Sequence, residues 1–363
     1  MPLTLSSDFE SFVLENRPLL DVRAPIEFEK GAFVTATNIA IMNDKERHLV
    51  GCRYKESGNE SAIQLAQELI KEKGKLERVQ AWKNYLAKNP NALLYCFRGG
   101  QRSKIAQEWL HEAGIDITRI KGGYKAFRNY LLQRSLEIIK ETPIVILGGR
   151  TGSGKTILLN ELANNIDLEA LANHRGSSFG NFANKQPSQI DFENALAYKL
   201  IQHNGQNHKY LIIEHESHNI GKNYIPKEVY HHLMQGKLFI LETPLQERVD
   251  IIYEEYVTQA IVKYERFYGA DGVYQWEEYV KKSLLKIEKR LGSQRYKELS
   301  ALFQKAFLLH GTTVATEFYK EWIAQLLSTY YDPMYDYQLE KTQIPITFRG
   351  SKNEILDNLL IYS

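Results

Sequence analysis

The stretch Gly149-Arg150-Thr151-Gly152-Ser153-Gly154-Lys155-Thr156 decides the fold of the second half of this 363-residue chain. It matches the phosphate-binding P-loop pattern, in which a glycine-rich loop joins a strand to a helix. The apolar run Ile144-Val145-Ile146-Leu147 precedes it, and Ile157-Leu158-Leu159 follows it. Backbone N–H groups of such a loop hold two linked phosphates, Lys155 adds positive charge, and Thr156 is placed to hold Mg²⁺. The pattern predicts a diphosphate site without specifying what the diphosphate is attached to.

Two further segments supply polar groups that we expect around this loop. Glu214 follows the apolar run Tyr210-Leu211-Ile212-Ile213, where P-loop proteins place the acidic companion of the loop, and Glu216 comes two residues later. The segment from His174 to Gly180 combines a base, a guanidinium, hydroxyls and glycines, which is typical of an anion-binding loop. Its candidate supporting residues are His174, Arg175, Ser177 and Ser178. Neither an Asn-Lys-x-Asp base-recognition motif nor a hydrolytic glutamine is recognisable.

A second loop, Cys96-Phe97-Arg98-Gly99-Gly100-Gln101-Arg102-Ser103, carries the candidate nucleophile. It follows the apolar run Ala92-Leu93-Leu94-Tyr95 and precedes a segment with helical apolar spacing. The backbone N–H groups and the helix dipole then converge on the sulfur, and Arg98 and Arg102 add positive charge. We therefore expect Cys96 to be reactive as a thiolate, whereas Cys52 has no such surroundings. The Cys-x5-Arg spacing also fits cysteine phosphatases, although no general-acid aspartate can be identified.

The residues around the Cys96 loop resemble those of rhodaneses. The resemblance rests on Asp21-Val22-Arg23, Glu27-Phe28, Gly31, Asn38-Ile39 and Lys121-Gly122-Gly123-Tyr124, in that order. It implies an α/β fold with an N-terminal rhodanese-like domain over residues 1–137 and chalcogen transfer through Cys96. Residues 138–363 are then expected to form a P-loop NTPase-like domain with a parallel sheet and, from about residue 245, a helical C-terminal region.

Composition excludes several classes of protein. Hydrophobic residues make up 43% of the chain and charged residues 25%, which is ordinary for a folded globular protein. Only two cysteines occur, so a disulfide framework is excluded and a cytoplasmic location is expected. Nine basic and three acidic residues lie between positions 81 and 130, which favours contact with a phosphate backbone. The basic candidates there and just beyond are Lys104, Arg119, Lys121, Lys125, Arg128 and Arg134.

Taken together, the two loops resemble those of the tRNA 2-selenouridine synthases. The resemblance is carried by the Cys96 loop, residues 148–156, residues 168–180, Glu216-Ser217 and Ile220-Gly221. It implies that selenium replaces sulfur in 2-thiouridine at the wobble position of the tRNA anticodon. The implied selenium donor is selenophosphate from a partner enzyme, and the implied intermediate is S-geranyl-2-thiouridine made from geranyl diphosphate. Cys96 would carry selenium, and Gly149 to Thr156 would bind the diphosphate.

Two alternatives remain open at this stage. A rhodanese domain fused to a P-loop kinase or ATPase would phosphorylate a metabolite with ATP. A non-catalytic regulator would sense anions through an inactive rhodanese loop, although the presence of Cys96 argues against it. The acidic residue after the strand is Glu214 rather than aspartate, so a requirement for Mg²⁺ through Thr156 and Glu214 is left undecided.

Overall fold

The computed structural model of the chain describes residues 3–177, 179–180, 185–342 and 344–361. It divides into two compact units. The first comprises Met1–Ile138 together with Ser188–Gln206, and the second comprises Ile139–Pro187 together with Asn207–Ser363. Within the described residues, no helix combines the length and apolar composition that crossing a bilayer requires.

The first unit is a parallel sheet with helices. Its elements are β1 (Leu5–Ser6), α1 (Phe9–Leu14), β2 (Leu19–Asp21), α2 (Pro25–Glu29), β3 (Ala36–Asn38), α3 (Asp44–Lys88, with non-helical backbone angles at Gly58 and Lys71), β4 (Leu93–Tyr95), α4 (Gln101–Glu112), β5 (Thr118–Ile120) and α5 (Gly123–Glu141). The strands lie in the order β1-β5-β4-β2-β3, and every pair is parallel.

Both faces of this sheet are buried. Successive side chains of a strand point to opposite faces, and accordingly Leu93 and Leu94 of β4 belong to two different apolar clusters. Leu93 packs with Phe127 of α5, and Leu94 packs with Trp82 of α3 and Leu110 of α4. The covered sheet holds the carboxyl end of β4, and therefore Cys96, in a fixed position.

A helix just past the midpoint of the chain completes the first unit. This helix, which we number α8 in chain order, runs from Gln189 to Gly205. Its residues Ala197, Tyr198 and Ile201 lie in the same apolar cluster as Phe127. Asn194 is fully buried: its side-chain amide donates to the carbonyl of Ala32 (2.6 Å) and accepts from Arg128 (2.6 Å). The predicted continuous domain over residues 138–363 therefore differs from the compact units, because residues 188–206 pack on the first.

We expect Asn194→Ala to destabilise the protein by about 1–3 kcal/mol, because the half-buried Ala32 carbonyl loses the amide that donates to it and the Arg128 guanidinium, which still pairs with Glu193, loses one acceptor. Chemical denaturation of the full-length protein, followed by circular dichroism, measures the change. Asn204→Ala, on an exposed position of the same helix, is the matched control. Equal stability of the two variants would mean that the helix contributes little to the first unit.

The second unit contains a second parallel sheet and a helical region. Its elements are β6 (Ile144–Gly148), α6 (Lys155–Asn160), β7 (Asn165–Ile166), α7 (Leu168–Ala172), β8 (Leu211–Glu214), β9 (Asn219–Ile220), β10 (Asn223–Tyr224), α9 (Lys227–Leu233), β11 (Lys237–Leu241), α10 (Leu245–Tyr253), α11 (Gln259–Tyr268), α12 (Gly272–Leu291), α13 (Ser293–Leu308), α14 (Thr313–Leu326), α15 (Asp332–Lys341), β12 (Ile346–Gly350) and α16 (Lys352–Ile361). Two π-helical turns, Glu254–Thr258 and Leu327–Tyr331, and a 3₁₀ turn, Gly269–Asp271, connect helices in this region.

The large sheet of this unit has the order β12-β11-β6-β8-β7 with all strands parallel, and β9 pairs with β10 in a separate antiparallel ribbon. The P-loop strand β6 is central, so the loop that follows it lies beside the carboxyl ends of β8 and β11. The helices after residue 245 build their own core around Trp276, Phe303, Tyr319 and Trp322. The predicted α/β fold, with two parallel sheets and a helical C-terminal region, is confirmed.

Candidate functional site

Cys96 lies between the end of β4 and the start of α4, and its side chain is buried. The sulfur is 3.1 Å from the hydroxyl oxygen of Ser103 in the first turn of the helix. The first turn of α5 closes the loop from the other side: the N–H of Tyr124 donates to the carbonyl of Cys96, and the N–H of Lys125 donates to that of Phe97, both at 2.9 Å. Backbone hydrogen bonds to α5 therefore fix the first two residues of the loop.

Gly123 is required for this close approach of two backbone segments. Its φ is +60°, a conformation that residues with a side chain rarely adopt. A Cβ at this position would lie 2.3 Å from the carbonyl oxygen of Cys96 and 2.4 Å from the nitrogen of Gly99. The glycine pair of the sequence motif Lys121-Gly122-Gly123-Tyr124 thus determines the shape of the cysteine loop.

The arginines of the loop do not both act as free cations near the sulfur. Arg102 forms a two-pronged ion pair with Glu27, with N–O distances of 2.5 and 3.1 Å. Burial alone would raise the pKa of Glu27, but the hydrogen bond and charge of Arg102 lower it overall. Arg98 is exposed, as are Phe97, Gly100 and Gln101, while Ser103 is buried. Among the loop's own residues, Arg98 is left as the cation for an incoming anion.

A buried ion pair supports the loop from beneath. The guanidinium of Arg23 contacts the carboxylate of Asp21 at 2.6 Å, donates to the carbonyl of Gly31 at 2.9 Å and lies 4.0 Å from the ring centroid of Tyr124. Asn38 donates to the carbonyls of Asp21 and Arg23. The residues that carry the rhodanese resemblance thus form one connected network around the cysteine loop.

In the second unit, the P-loop adopts a tight turn at the end of β6. Gly149, Gly152 and Gly154 all have positive φ, and a Cβ on Gly149 would lie 2.8 Å from the carbonyl oxygen of Leu241. The ammonium group of Lys155 lies across the loop and donates to the carbonyl of Gly149 at 3.0 Å. The hydroxyl of Thr156 donates to a carboxylate oxygen of Glu214 at 2.9 Å. The predicted pairing of Thr156 with the acidic end of β8 is therefore present.

Three carboxylates gather beside this loop. Oxygens of Glu169, Glu214 and Glu216 all lie within 4.8 Å of one another, a spacing suited to a shared cation. The second carboxylate oxygen of Glu214 is buried and has no hydrogen-bond partner within the described residues. With the hydroxyl of Thr156 in contact with Glu214, these oxygen ligands fit Mg²⁺ chemically, since that ion prefers carboxylate and hydroxyl oxygens.

The crowding of these acids shifts their protonation. Burial, followed by the charges of Glu214 and Glu216, raises the pKa of Glu169 to about 10. Burial is also the main reason that the pKa of Glu214 rises to about 8 and that the pKa of Glu216 is raised. The charge of Lys155 opposes each of these shifts without cancelling them. The metal-free site therefore holds protons at neutral pH that a cation would displace.

The P-loop opens into a polar cavity of about 480 Å³. Its lining residues come from the loop, the acidic cluster and the helical region. Those relevant here are Gly149, Thr151 to Thr156, Asp167, Glu169, Arg175, Gly176, Ser177, Glu216, Tyr256, Lys263, Arg290 and Tyr331.

A second cavity adjoins the first and is mainly apolar. The two cavities share lining residues, among them Thr151, Tyr256 and Tyr331. Most of the other residues that line the second cavity are aromatic and aliphatic. They include Phe179, Ile252, Tyr264, Trp276, Val280, Trp322, Ile323 and Leu326. A ligand with an anionic head and an apolar tail could place its head in the polar cavity at the P-loop and its tail in the apolar cavity.

The predicted anion-binding loop also borders the polar cavity. Arg175 and Ser177 line it, and the Arg175 guanidinium lies 4.7 Å from the ring centroid of Tyr256 and 3.5 Å from Glu255. A Cβ on Gly176 would lie 2.7 Å from an oxygen of Glu169, so the loop rests on the carboxylates. Ser178 lies outside the described residues. His174 is buried and is not among the residues that line the cavity.

Arg150 departs from the expected arrangement. Its side chain pairs with Asp336 at 2.7 Å and lines a separate cavity beside Arg248 and Arg349. Several residues of the polar cavity are not predicted from the sequence, among them Glu169, Tyr256 and Lys263. Glu169 lies in the first turn of α7, two residues after the N-cap residue Asp167. Acidic residues are common at this position of a helix, so the sequence gives no sign of a binding role for Glu169. Only the fold brings it to Glu214.

The first unit is a parallel sheet that holds a cysteine loop, and the second unit carries a P-loop. The combination of these two units in one chain defines the class of this protein as a rhodanese–P-loop fusion. A family model described as the rhodanese-like domain matches residues 8–130, and one described as the tRNA 2-selenouridine synthase AAA domain matches residues 142–361. Similar proteins span nearly the whole chain, and each is called tRNA 2-selenouridine synthase.

Several bacterial proteins are highly similar to this chain. The protein of Sulfurovum sp. (strain NBC37-1) is 52% identical, with 97% of each chain covered. That of Hydrogenovibrio crunogenus is 46% identical, with 98% of each covered, and that of Shewanella frigidimarina is 44% identical, with 96% of each covered. The chain belongs to the tRNA 2-selenouridine synthase family.

The raised pKa values of the acidic cluster predict how stability depends on pH in the presence of a chelator. An unfolded glutamate titrates near pH 4.3, whereas folded Glu214 holds its proton up to about pH 8. The folded state therefore binds more protons between these values, and stability falls as pH rises through this window by up to about 1.4 kcal/mol per pH unit and proton.

We expect Glu214→Gln to reduce this loss, because the amide cannot ionise. The measurement is the thermal unfolding midpoint at pH 5, 7 and 9 in EDTA. The control is Glu228→Gln, at an exposed position of α9. A decline as steep as in the unchanged protein would show that Glu214 is not protonated in the folded state.

Proposed function

We propose that this protein replaces sulfur by selenium in wobble 2-thiouridine of tRNA, using selenophosphate, through an S-geranyl-2-thiouridine intermediate made from geranyl diphosphate. Membership of the family supports selenium modification of tRNA. The geranyl step has its own support in the structure, from the cavities of the second unit.

The observation that carries the geranyl step is the junction of the two cavities. A P-loop recognises a diphosphate whatever group is attached to it. In a nucleotide-binding protein, the space beyond the phosphates holds a sugar and a base and needs polar partners. Here the polar cavity at the P-loop adjoins the apolar cavity, which is lined by Trp276, Trp322 and Phe179. A ten-carbon isoprenoid chain matches these surfaces, since burial of apolar area is its main source of binding free energy.

In the proposed first reaction, the sulfur of 2-thiouridine forms a bond to C1 of the geranyl group as the carbon–oxygen bond to diphosphate breaks. The proton on N3 of the base is lost, and diphosphate leaves. Negative charge develops on the departing diphosphate, where the N–H groups of Gly149 to Thr156 and the Lys155 ammonium stabilise it. A divalent cation held by Thr156, Glu214 and Glu216 would supply further positive charge there and would offset the repulsion between these acids and the diphosphate.

In the proposed second reaction, selenium replaces the alkylated sulfur at C2. An alkylated sulfur leaves as a neutral thiol, whereas an unmodified thione is a poor leaving group. We assign Cys96 as the residue that receives selenium from selenophosphate. The phosphorus–selenium bond breaks as water takes up the phosphoryl group to give phosphate, and selenium, at the selenide level throughout, forms its bond to C2 as the geranyl thiol leaves. Its burial against Ser103 and the exposed cation of Arg98 fit a loop that receives a small chalcogen anion. A partner enzyme supplies selenophosphate, and we place the reaction in the cytoplasm, where the Cys96 thiol stays reduced.

The first test of this function is Lys155→Ala. Removing one charged group that stabilises the departing diphosphate commonly costs about 3 kcal/mol, or a hundredfold in rate. We expect at least this loss in geranylation of 2-thiouridine tRNA, measured by mass spectrometry of the nucleosides, with geranyl diphosphate present and ATP absent. Lys227→Ala, an exposed lysine of the same unit, is the control.

The same variant separates the two reactions. Given tRNA that already carries S-geranyl-2-thiouridine, Lys155→Ala should recover most of its selenation, because Cys96 is intact. Equal loss on both tRNAs, or a strict requirement for ATP in the unchanged protein, would contradict the assignment. The latter result would favour the alternative of a rhodanese-fused P-loop kinase or ATPase.

The second test is Cys96→Ser. We expect 2-selenouridine to fall below a hundredth of its normal level, because the hydroxyl is a far weaker nucleophile than the thiolate. S-geranyl-2-thiouridine should still form and accumulate, because the P-loop unit is unchanged. Cys52→Ser, which alters an exposed thiol of α3, is the matched control. Normal 2-selenouridine from Cys96→Ser would exclude Cys96 as the selenium carrier.

A further inference from the structure

Four basic residues form a ridge along one side of α12: Lys282, Lys286, Lys289 and Arg290. All four side chains are exposed. Helical spacing places them on one flank, since residues four apart overlie one another along a helix. The opposite part of the helix circumference, with Trp276, Val280, Leu284 and Ile287, is buried in the helical core. We call these four residues the α12 ridge.

The ridge is not neutralised within the described part of the chain. None of its four side chains has a carboxylate oxygen within 4.0 Å there. The neighbouring Lys281, on the other flank of α12, instead pairs with Glu277 at 2.6 Å and with Glu278 at 3.8 Å. Like charges four residues apart on a helix repel each other by about 0.2–0.5 kcal/mol per pair. A bound polyanion would relieve that repulsion.

The ridge borders the polar cavity at the P-loop. Arg290 is one of the residues that line this cavity. Burial, and then the charge of Lys286, lower the pKa of His174, so the charge of Lys286 reaches the loop that borders the cavity. Lys263 of α11 lines the cavity as well. Positive charge thus extends from the reaction site outward along α12.

We propose that the α12 ridge binds the phosphates of the RNA strand next to the nucleoside that enters the P-loop cavity. This inference rests on the proposed function, because it takes tRNA as the substrate. The distance from Lys282 to Arg290 is about 12 Å along the helix axis, at 1.5 Å per residue, so the ridge can contact more than one phosphate. A row of unpaired cations complements an RNA backbone, and its position allows the strand to be held while one base reaches the cavity.

The basic residues of the first unit are less suited to this role. Of the six candidates from the sequence, four are engaged internally: Lys104 with Glu108, Arg119 with the Gly99 carbonyl, Arg128 with Glu193, and Arg134 with Glu10. Lys121 and Lys125 are exposed and stay candidates for a separate tRNA contact. The α12 ridge is the longer unpaired basic surface, and it adjoins a reaction cavity.

The test is the double variant Lys282→Glu, Lys286→Glu in the full-length protein. We expect tRNA affinity to fall at least tenfold at low salt, measured by fluorescence anisotropy with labelled 2-thiouridine tRNA. We also expect the slope of log affinity against log salt to decrease by about 1.4, since each single-strand phosphate contact contributes about 0.7. The variant Lys282→Arg, Lys286→Arg should keep both values.

Two controls keep the result interpretable. The variant Lys45→Glu, Lys55→Glu changes net charge equally at exposed positions of α3 and should leave the salt slope unchanged. The neutral variant Lys282→Gln, Lys286→Gln avoids new repulsion with Glu278, and it should show an intermediate loss if the charge-reversed protein unfolds. Thermal unfolding establishes which variants are folded.

The possible failures are distinct. If the unchanged protein does not bind tRNA, the proposed function fails together with the inference. If the unchanged protein binds tRNA and the ridge variants bind with the affinity and salt slope of the α3 control, the ridge is not the docking surface, while the proposed function stands.

Discussion

Three carboxylates, one buried and two half-buried, lie near one ammonium group at the carboxyl edge of the second sheet, and this imbalance of charge constrains the surrounding site. Glu169, Glu214 and Glu216 cannot all be ionised with only Lys155 nearby, so the metal-free protein keeps protons on them, as their raised pKa values indicate. A diphosphate brought to the adjoining P-loop would add negative charge to the same place. The diphosphate and the carboxylates can occupy neighbouring positions when bound protons or a cation neutralise the repulsion between their negative charges. The hydroxyl of Thr156 and the carboxylate of Glu214, which contact each other, are among the groups that would hold that cation.

The loops that carry the chemistry could be predicted from sequence because each is a local structure. A strand, a glycine-rich turn and a helix N-terminus occupy a dozen consecutive residues at Cys96 and again at Lys155, so their geometry is encoded at short range. The glycine pair at 122–123 is also recognisable in the sequence. The need for glycine there follows only from the fold, because a Cβ on Gly123 would collide with the carbonyl of Cys96. The two parallel sheets followed from the alternation of strand and helix patterns.

Features that depend on distant pairing could not be predicted in the same way. Nothing local to Asn194 indicates that its amide bridges Ala32 and Arg128 of the first unit, and the apolar spacing of α8 fits packing on either sheet. Arg102 looked like a free cation in the cysteine loop, but Glu27, which lies 75 residues earlier, neutralises it. Strand β12, near the C-terminus, extends the second sheet beside β11 in a region whose sequence carried no motif. In each case the partner is far away along the chain.

A P-loop alone does not determine the chemistry that takes place beside it. Its backbone N–H groups recognise two linked phosphates, and the surfaces farther out select what the phosphates carry. In this chain those surfaces belong to the helical region, where an aromatic cavity adjoins the phosphate site and a row of unpaired cations runs along α12. An apolar tail and an RNA strand would use different parts of one helix, since Trp276 and Val280 face the apolar cavity while Lys282 and Lys286 lie on the exposed flank. Under the proposed function, the same helix would hold the alkyl donor and its acceptor at the P-loop, which is the arrangement that transfer of an alkyl group to a nucleoside sulfur requires.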